Sequence, residues 1–243
     1  MHQKTILITG GTSGIGFSCA AYLLKSEYQV IITGRNEANL ATALQQLGPK
    51  ASGYLCDTAL LSDIDQLVAS LADTKLNGLF INAGIFKAAN FTETTEAIFD
   101  ETMDINFKGA FFTIQKMLPL LKNPASVVLN TSIVVFKAFA QTSAYTASKA
   151  ALEGIAKVLN IELATKGIRV NIISPGVTKS PIQKKSGMSE EAIQELLTHF
   201  SNHSPIGRIV MPDDIAPMVE FLLSDKSLVL RNEKIIIDGG TTL

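Results

Sequence analysis

Cysteine and histidine are scarce in this chain, and charge of either sign is nearly balanced. Only Cys19 and Cys56 are present, far apart and in apolar surroundings. Buried free thiols are therefore expected rather than a disulfide framework, which suits a reducing cytoplasm. His2, His199 and His203 lack partners at metal-ligand spacing, so they read as surface or loop residues and no metal site is expected. Formal net charge is −1, with neither a basic block nor an acidic tail. Nothing electrostatic then supports a nucleic-acid partner or a membrane-surface role. The opening MHQKTILITGG has too short an apolar run for a signal peptide or a membrane span. No linker, repeat or low-complexity stretch divides residues 1–243, which read as one domain.

What the chain does have is a repeated rhythm. Of its 243 residues 47% are hydrophobic, enough to bury a sizeable core. Short β-branched runs recur at 5–9, 29–33, 78–81, 126–131, 169–173 and 234–238, with a weaker seventh at 52–56. They are nearly continuous rather than alternating, as parallel strands buried on both faces should be. Helical patterns at 14–26, 36–47, 62–72, 95–121, 143–166 and 213–224 fall between them, and Ser62 with Asp65 has the form of a capping box opening the third. Regular alternation implies βαβ crossovers and a doubly wound α/β sheet with helices on both faces. Residues 178–212 break the rhythm with a long excursion holding a helix near 189–200 between Pro181 and Pro205. Ligands of open α/β sheets bind beyond the carboxyl ends of the strands, so a lid is expected there, against a plain surface loop.

Between the first strand and the first helix lies Thr9-Gly10-Gly11-Thr12-Ser13-Gly14-Ile15-Gly16. Glycine there carries an entropic penalty and needs a steric reason. A tight turn is one reason. The other is a backbone that must approach a phosphate closely at a helix N-terminus.

The pattern resembles that of the short-chain dehydrogenase/reductase family, and the resemblance runs through the chain. Asn82-Ala83-Gly84 follows the fourth strand, Asn106 sits in DINFKGAFF, and Ser132 ends the fifth strand. Tyr145-Thr-Ala-Ser-Lys149 begins thirteen residues later, followed by Asn171-Ile-Ile-Ser-Pro175-Gly176, Pro205-Ile-Gly207-Arg208 and Asp238-Gly239-Gly240. Three positions depart from the family: Ile81 and Asn77 before the NAG motif, and Asn232, where a glycine is common ahead of the last strand. Asparagine tolerates a left-handed turn better than most residues. The resemblance implies a Rossmann fold with a mostly parallel seven-stranded sheet. It also implies an oxidoreductase moving hydride between a nicotinamide nucleotide and a carbonyl or secondary alcohol.

Tyr145 and Lys149 are four apart at a helix start and project from one face. A free phenol titrates near 10, and a nearby ammonium is expected to lower that value. Such a group can protonate a carbonyl oxygen or deprotonate an alcohol, and Ser132 can hydrogen-bond the same oxygen. Each residue alone also has an ordinary structural reading: an amphipathic face, a strand-end turn, a buried amide. By resemblance, Lys149 also bonds the nicotinamide ribose and Asn106 holds a proton-relaying water chain. Gly10, Thr12, Ser13, Gly14, Ile15, Gly16, Asn82, Ala83 and Gly84 would hold the nucleotide. Pro175, Gly176, Thr178 and Ser180 would hold the carboxamide, against a simple Pro-Gly turn. Asp57 and Thr58 would lie near the adenine, although Asp57 also suits an Asx-turn.

An acidic residue about 20 positions past the glycine loop marks NAD. Here Gly34 stands in that place and Arg35 follows. A guanidinium, with Ser13, can bind a 2′-phosphate, so NADP is expected over NAD. Arg35 can equally be a solvated charge ahead of an Asn36 cap. By family position Phe86, Val134, Phe136, Phe139, Val177, Ile182 and Met188 wall the substrate pocket, suggesting an apolar carbonyl or alcohol. Lys87 and Lys137 border it. The alternatives are a dinucleotide-binding sensor without turnover, which should lack Tyr145 or Lys149, and sugar-nucleotide epimerase chemistry, which should bring a larger C-terminal region. Ala147, Ala151, Gly154, Val158 and Ile161 form an apolar outer face on the helix 143–166, so a homodimer or homotetramer is expected.

Overall fold

The structure, a computed structural model, describes residues 3–243, so His2 lies outside the described residues. The apolar runs become β1 (Thr5–Ile8), β2 (Gln29–Gly34), β3 (Ala51–Leu55), β4 (Leu76–Ile81), β5 (Leu121–Asn130), β6 (Ile168–Pro175) and β7 (Lys234–Ile237). They pair in the order β3-β2-β1-β4-β5-β6-β7, every pair parallel. β1 and β6 are buried at every position; β1 is apolar after Thr5, whereas β6 alternates Ile168, Val170 and Ile172 with the buried polar residues Arg169 and Asn171. β3 is an edge strand whose ASGYL sequence contains no β-branched residue, which accounts for its weak signal beside the other edge strand, β7, whose KIII is a β-branched run.

The helices are α1 (Gly14–Lys25), α2 (Glu37–Leu47), α3 (Leu61–Ser70), α4 (Glu96–Met103), α5 (Gly109–Met117), α6 (Ser143–Glu162), α7 (Glu190–His203) and α8 (Pro212–Leu223). Alternate strand residues feed two cores. Leu7, Leu79, Val127 and Val170 pack with Ile64 of α3, Ile114 of α5 and Leu152 of α6. On the opposite face Ile6, Ile8, Phe80 and Val128 pack with Cys19 and Leu23 of α1 and Val219 of α8. Both cysteines are free and buried. Strand order reverses direction at β1, so the crevice between the carboxyl ends of β1 and β4 is the place where this architecture binds ligands.

Two local expectations are corrected. The pattern 95–121 is not one helix: a π turn at Asp104–Lys108 separates α4 from α5, and a 3-10 turn follows at Leu118–Leu120. Ser62 and Asp65 form no capping box. α3 begins at Leu61, so Ser62 already lies inside the first turn, and Asp65 pairs with Lys116 at 2.5 Å. Asn232 does adopt the left-handed conformation, with φ of 59°. The excursion helix is α7, capped by the Ser189 hydroxyl accepting from Ala192 N at 3.2 Å.

Candidate active site

The glycine loop is braced from behind. The Thr9 hydroxyl accepts from Asn82 N at 2.9 Å and Ala83 N at 3.0 Å. The Asn82 amide donates back to the carbonyls of Thr9 at 3.0 Å and Gly10 at 3.1 Å. Asn82 thus shapes the loop with its side chain. Gly10 and Gly14 take φ of 64° and 55°, the left-handed region that favours glycine. Gly16 answers a packing need instead, since a Cβ there would stand 2.4 Å from the Gly10 carbonyl oxygen, and it does not line the cleft. Ser13 precedes α1 without a side-chain cap bond, so its hydroxyl does not occupy the first-turn N–H groups.

At the end of β2, Arg35 is exposed, lines the cleft and makes no ion pair among the described residues. Asn36 caps α2, accepting from Asn39 N at 2.9 Å. Asp57 forms an Asx-turn, accepting from Ala59 N at 3.0 Å, while it and Thr58 also line the cleft.

Ser132, Tyr145 and Lys149 converge across the cleft floor. The Ser132 side chain faces the Tyr145 phenol while its hydroxyl accepts from Val134 N at 3.4 Å, and Lys149 Nζ lies 5.7 Å from the Tyr145 ring centroid. Lys149 is 3% exposed and donates to the Asn130 carbonyl at 2.8 Å. Burial pushes the Tyr145 phenol up to about 12, with the facing Ser132 side chain pulling the other way. Burial lowers the Lys149 ammonium to about 8. Loss of solvent thus shifts both groups toward their neutral forms, the opposite direction for the phenol from the lowering expected of a neighbouring cation.

Asn106 sits in the π turn, fully buried and outside the cleft lining. Its amide accepts from Ile85 N at 2.8 Å and donates to the Ile85 carbonyl and to Ser148 Oγ, both at 3.0 Å. Gly84 separates it from the lysine: a Cβ there would stand 3.1 Å from Asn106 Oδ1 and 3.4 Å from Lys149 Nζ.

Pro175 ends β6, and Gly176 fits against Asp238, where a Cβ would approach to 2.8 Å. The Thr178 hydroxyl turns back to the Gly176 carbonyl at 2.9 Å. Gln183, which the sequence did not single out, clips this loop: its amide donates to the Thr178 carbonyl at 2.7 Å and accepts from Ser180 N at 3.2 Å and Ser180 Oγ at 3.3 Å.

The cleft has a volume of 390 Å³. Phe86, Val134, Phe139, Val177, Ile182 and Met188 line it, with Phe86 edge-on to Tyr145 at 5.2 Å. Phe136 does not: it is 42% exposed and its ring lies 4.9 Å beneath Lys234 Nζ. Lys137 donates to the Thr241 carbonyl at 2.5 Å, and Lys87 pairs with Glu101 at 3.6 Å. Leu196 and Phe200 of α7 complete the wall, with Phe200 5.8 Å from Phe139. Their helical spacing after Ile193 was the signal for them.

A nicotinamide dinucleotide suits these residues. The side-chain oxygens of Thr33 and Asn130, both on the cleft lining, are buried without a hydrogen-bond partner. The N-terminus of α1 opens on the same space, and its Gly14 leaves room opposite Ser180, 3.1 Å from where a Cβ would lie.

The class of protein is thus a doubly wound α/β oxidoreductase. Residues 10–242 match the family model described as enoyl-(acyl carrier protein) reductase. Human dehydrogenase/reductase SDR family member 4 is 33% identical over 254 residues, covering 99% of this chain and 88% of that protein. A variant of actinorhodin polyketide ketoreductase, solved with NADPH, superposes with a TM-score of 0.89 at 28% identity, covering 98% and 97% of the two chains. A 3-ketoacyl-(acyl-carrier-protein) reductase from Brucella melitensis, solved with NADH, gives a TM-score of 0.89 at 26% identity, covering 99% and 98%. The chain belongs to the short-chain dehydrogenase/reductase family and is an NAD(P)-dependent oxidoreductase acting on CH–OH and C=O groups. No helix among the described residues is long and apolar enough to cross a membrane.

Proposed function

We propose that the protein reduces an apolar carbonyl compound, or oxidises the matching secondary alcohol, with NADP as its nucleotide and Tyr145 as general acid and base. The observation that carries this reading is the meeting of the Tyr145 phenol, the Ser132 hydroxyl and the buried Lys149 ammonium at one end of the cleft. The phenol carries its proton at neutral pH and is the group placed to give it to the carbonyl oxygen. Ser132 holds the same oxygen. When bound, the nicotinamide supplies or accepts the hydride. Lys149 keeps a positive charge beside the phenol as it loses its proton and, on the same face, grips the nucleotide ribose. Asn106 serves by fixing Ser148 of α6 to the turn after β4, since its amide is already committed at both ends.

Both nicotinamide nucleotides occur among the relatives, so this chain's own residues carry the choice. Gly34 offers no carboxylate to repel a 2′-phosphate, and the exposed Arg35 beside it has a free guanidinium to bind one through two hydrogen bonds. The aromatic and aliphatic wall favours an apolar substrate. Residues 178–212 act as the lid, in a cytoplasmic protein of one domain that pairs with further copies of itself.

Tyr145→Phe keeps the ring while deleting the proton donor. Turnover of any carbonyl substrate found by NADPH-oxidation screening should fall about 10²–10⁴-fold while NADPH binding persists. Wild-type turnover in that variant would place the proton elsewhere. Tight NADPH binding with no carbonyl or alcohol turned over would favour a sensor.

A further inference from the structure

Gly34 closes β2 where NAD-binding members of this fold place an acidic residue on the ribose 2′-hydroxyl. Its backbone is not left-handed, so conformational freedom does not demand glycine there. Space does. A Cβ at position 34 would stand 2.4 Å from Thr12 Cγ2, with Thr12 Oγ1 at 3.4 Å and Thr12 Cβ at 3.5 Å. The obstructing atom is one branch of a β-branched side chain, stiff at χ1. Of its three staggered rotamers, only the one turning the β-hydrogen toward residue 34 would clear the way. Thr12 and Gly34 both line the cleft, beside Ser13 and Arg35.

We propose that Thr12 is a specificity-determining residue whose methyl group occupies the place of a side chain at position 34 and so excludes a carboxylate that would bind the 2′-hydroxyl of NAD. Nucleotide choice then belongs to the pair, not to residue 34 alone. Removing both branches of Thr12 leaves the 3.5 Å Cβ contact as the nearest, which is ordinary van der Waals separation. An aspartate at 34 is therefore compatible with alanine at 12 and obstructed by threonine. The inference rests on this cleft being the nicotinamide nucleotide site; it does not require that the natural chain prefer NADP.

The test compares wild type, Thr12→Ala, Gly34→Asp and the double variant, by melting temperature and by fluorescence titration with NADPH and NADH. Forcing a side chain into a filled space should lower the melting temperature of Gly34→Asp by about 2–10 °C. It should also weaken both nucleotides. The double variant should recover at least half of that loss. Its affinity ratio of NADH to NADPH should exceed that of Thr12→Ala tenfold or more. If Gly34→Asp alone keeps the wild-type melting temperature and gains NADH preference, Thr12 swings aside and the lock does not exist. A double variant as unstable as Gly34→Asp would also overturn it. Where Gly34→Asp fails to fold, a folded, NADH-shifted double variant supports the lock and an unfolded one refutes it. The wild-type ratio reports separately on the NADP reading: a wild type that prefers NADH overturns that reading, while the variants still judge the lock.

Discussion

Replacing Lys149 by methionine should reveal what the site's cation costs the fold. Its side chain is 3% exposed, its one hydrogen bond among the described residues goes to the Asn130 carbonyl, and burial lowers its pKa from 10.5 to about 8. In the unfolded chain the same lysine keeps its ordinary value. Between about pH 8 and 10.5 the unfolded state therefore binds more protons than the folded state, and stability rises with pH across that window. At about 1.4 kcal/mol per pH unit, the penalty for the charge is about 3 kcal/mol, fully present below pH 8 and gone above 10.5. Methionine keeps most of the volume and never titrates. Urea unfolding of both proteins, without nucleotide, at pH 7 and pH 9.5 isolates the effect. Wild type should gain about 2 kcal/mol on the variant between those values. Packing differences and the lost hydrogen bond act equally at both values and cancel. Parallel pH profiles would mean that the ammonium is solvated, and a wild type losing ground with rising pH would reverse the reasoning. The same variant should bind NADPH weakly, which would explain why the chain keeps a destabilising cation.

Arg35→Ala should weaken NADPH roughly 10–100-fold and leave NADH nearly unchanged, the loss of a charge-assisted hydrogen bond being worth about 1.5–3 kcal/mol. Equal loss for both nucleotides, by fluorescence titration, would assign Arg35 to folding or general binding. On the outer face of α6, Val158 is 50% exposed, Ile161 is 79% exposed and Gly154 faces open space. Static light scattering at micromolar concentration should therefore give a dimer or tetramer mass, and a monomer mass would sink that reading.

The strands were legible as short β-branched runs, even in the edge strand β7, and β3 was faint because its ASGYL contains no β-branched residue. The break after α4 was not legible, since the apolar spacing of 95–121 runs on through it. Its setting is a long-range contact: Gly109 packs so close to the Thr58 carbonyl that a Cβ would stand 2.3 Å from the oxygen. Tyr145 and Lys149 were legible through their company, the glycine loop, Ser132 and Asn106 in order, whereas the direction of the phenol's shift depends on burial by segments distant in sequence. Phe136 follows the 3-10 turn Ile133–Val135, which sends it toward Lys234 instead of into the cleft beside Val134. Gln183 carried no signal because its amide bonds only to its own loop.

Floor and roof of the cleft are built differently, and the difference bears on how it would work. A continuous chain of hydrogen bonds runs beneath it. Asn82 N donates to the Thr9 hydroxyl at 2.9 Å, Asn130 donates to the Asn82 carboxamide oxygen at 2.9 Å, and Lys149 donates to the Asn130 carbonyl at 2.8 Å. The glycine loop, two strand ends and α6 are thereby tied in one set of positions before any ligand arrives, which is what precise placement of reacting groups needs. Among the described residues the roof is tied only at the ends of α7: the Ser186 carbonyl accepts from Ala88 N at 3.1 Å, and Ser204 Oγ donates to the Gly239 carbonyl at 3.2 Å. α7 contains no fully buried residue, and its aromatic contact with the opposite rim is Phe200 against Phe139 at 5.8 Å. Segments with few buried apolar contacts open at lower free energy than core strands. An α7 that lifts away would uncover the apolar wall while leaving Ser132, Tyr145 and Lys149 fixed. Substrate entry and proton transfer can then be served by separate parts of one short chain.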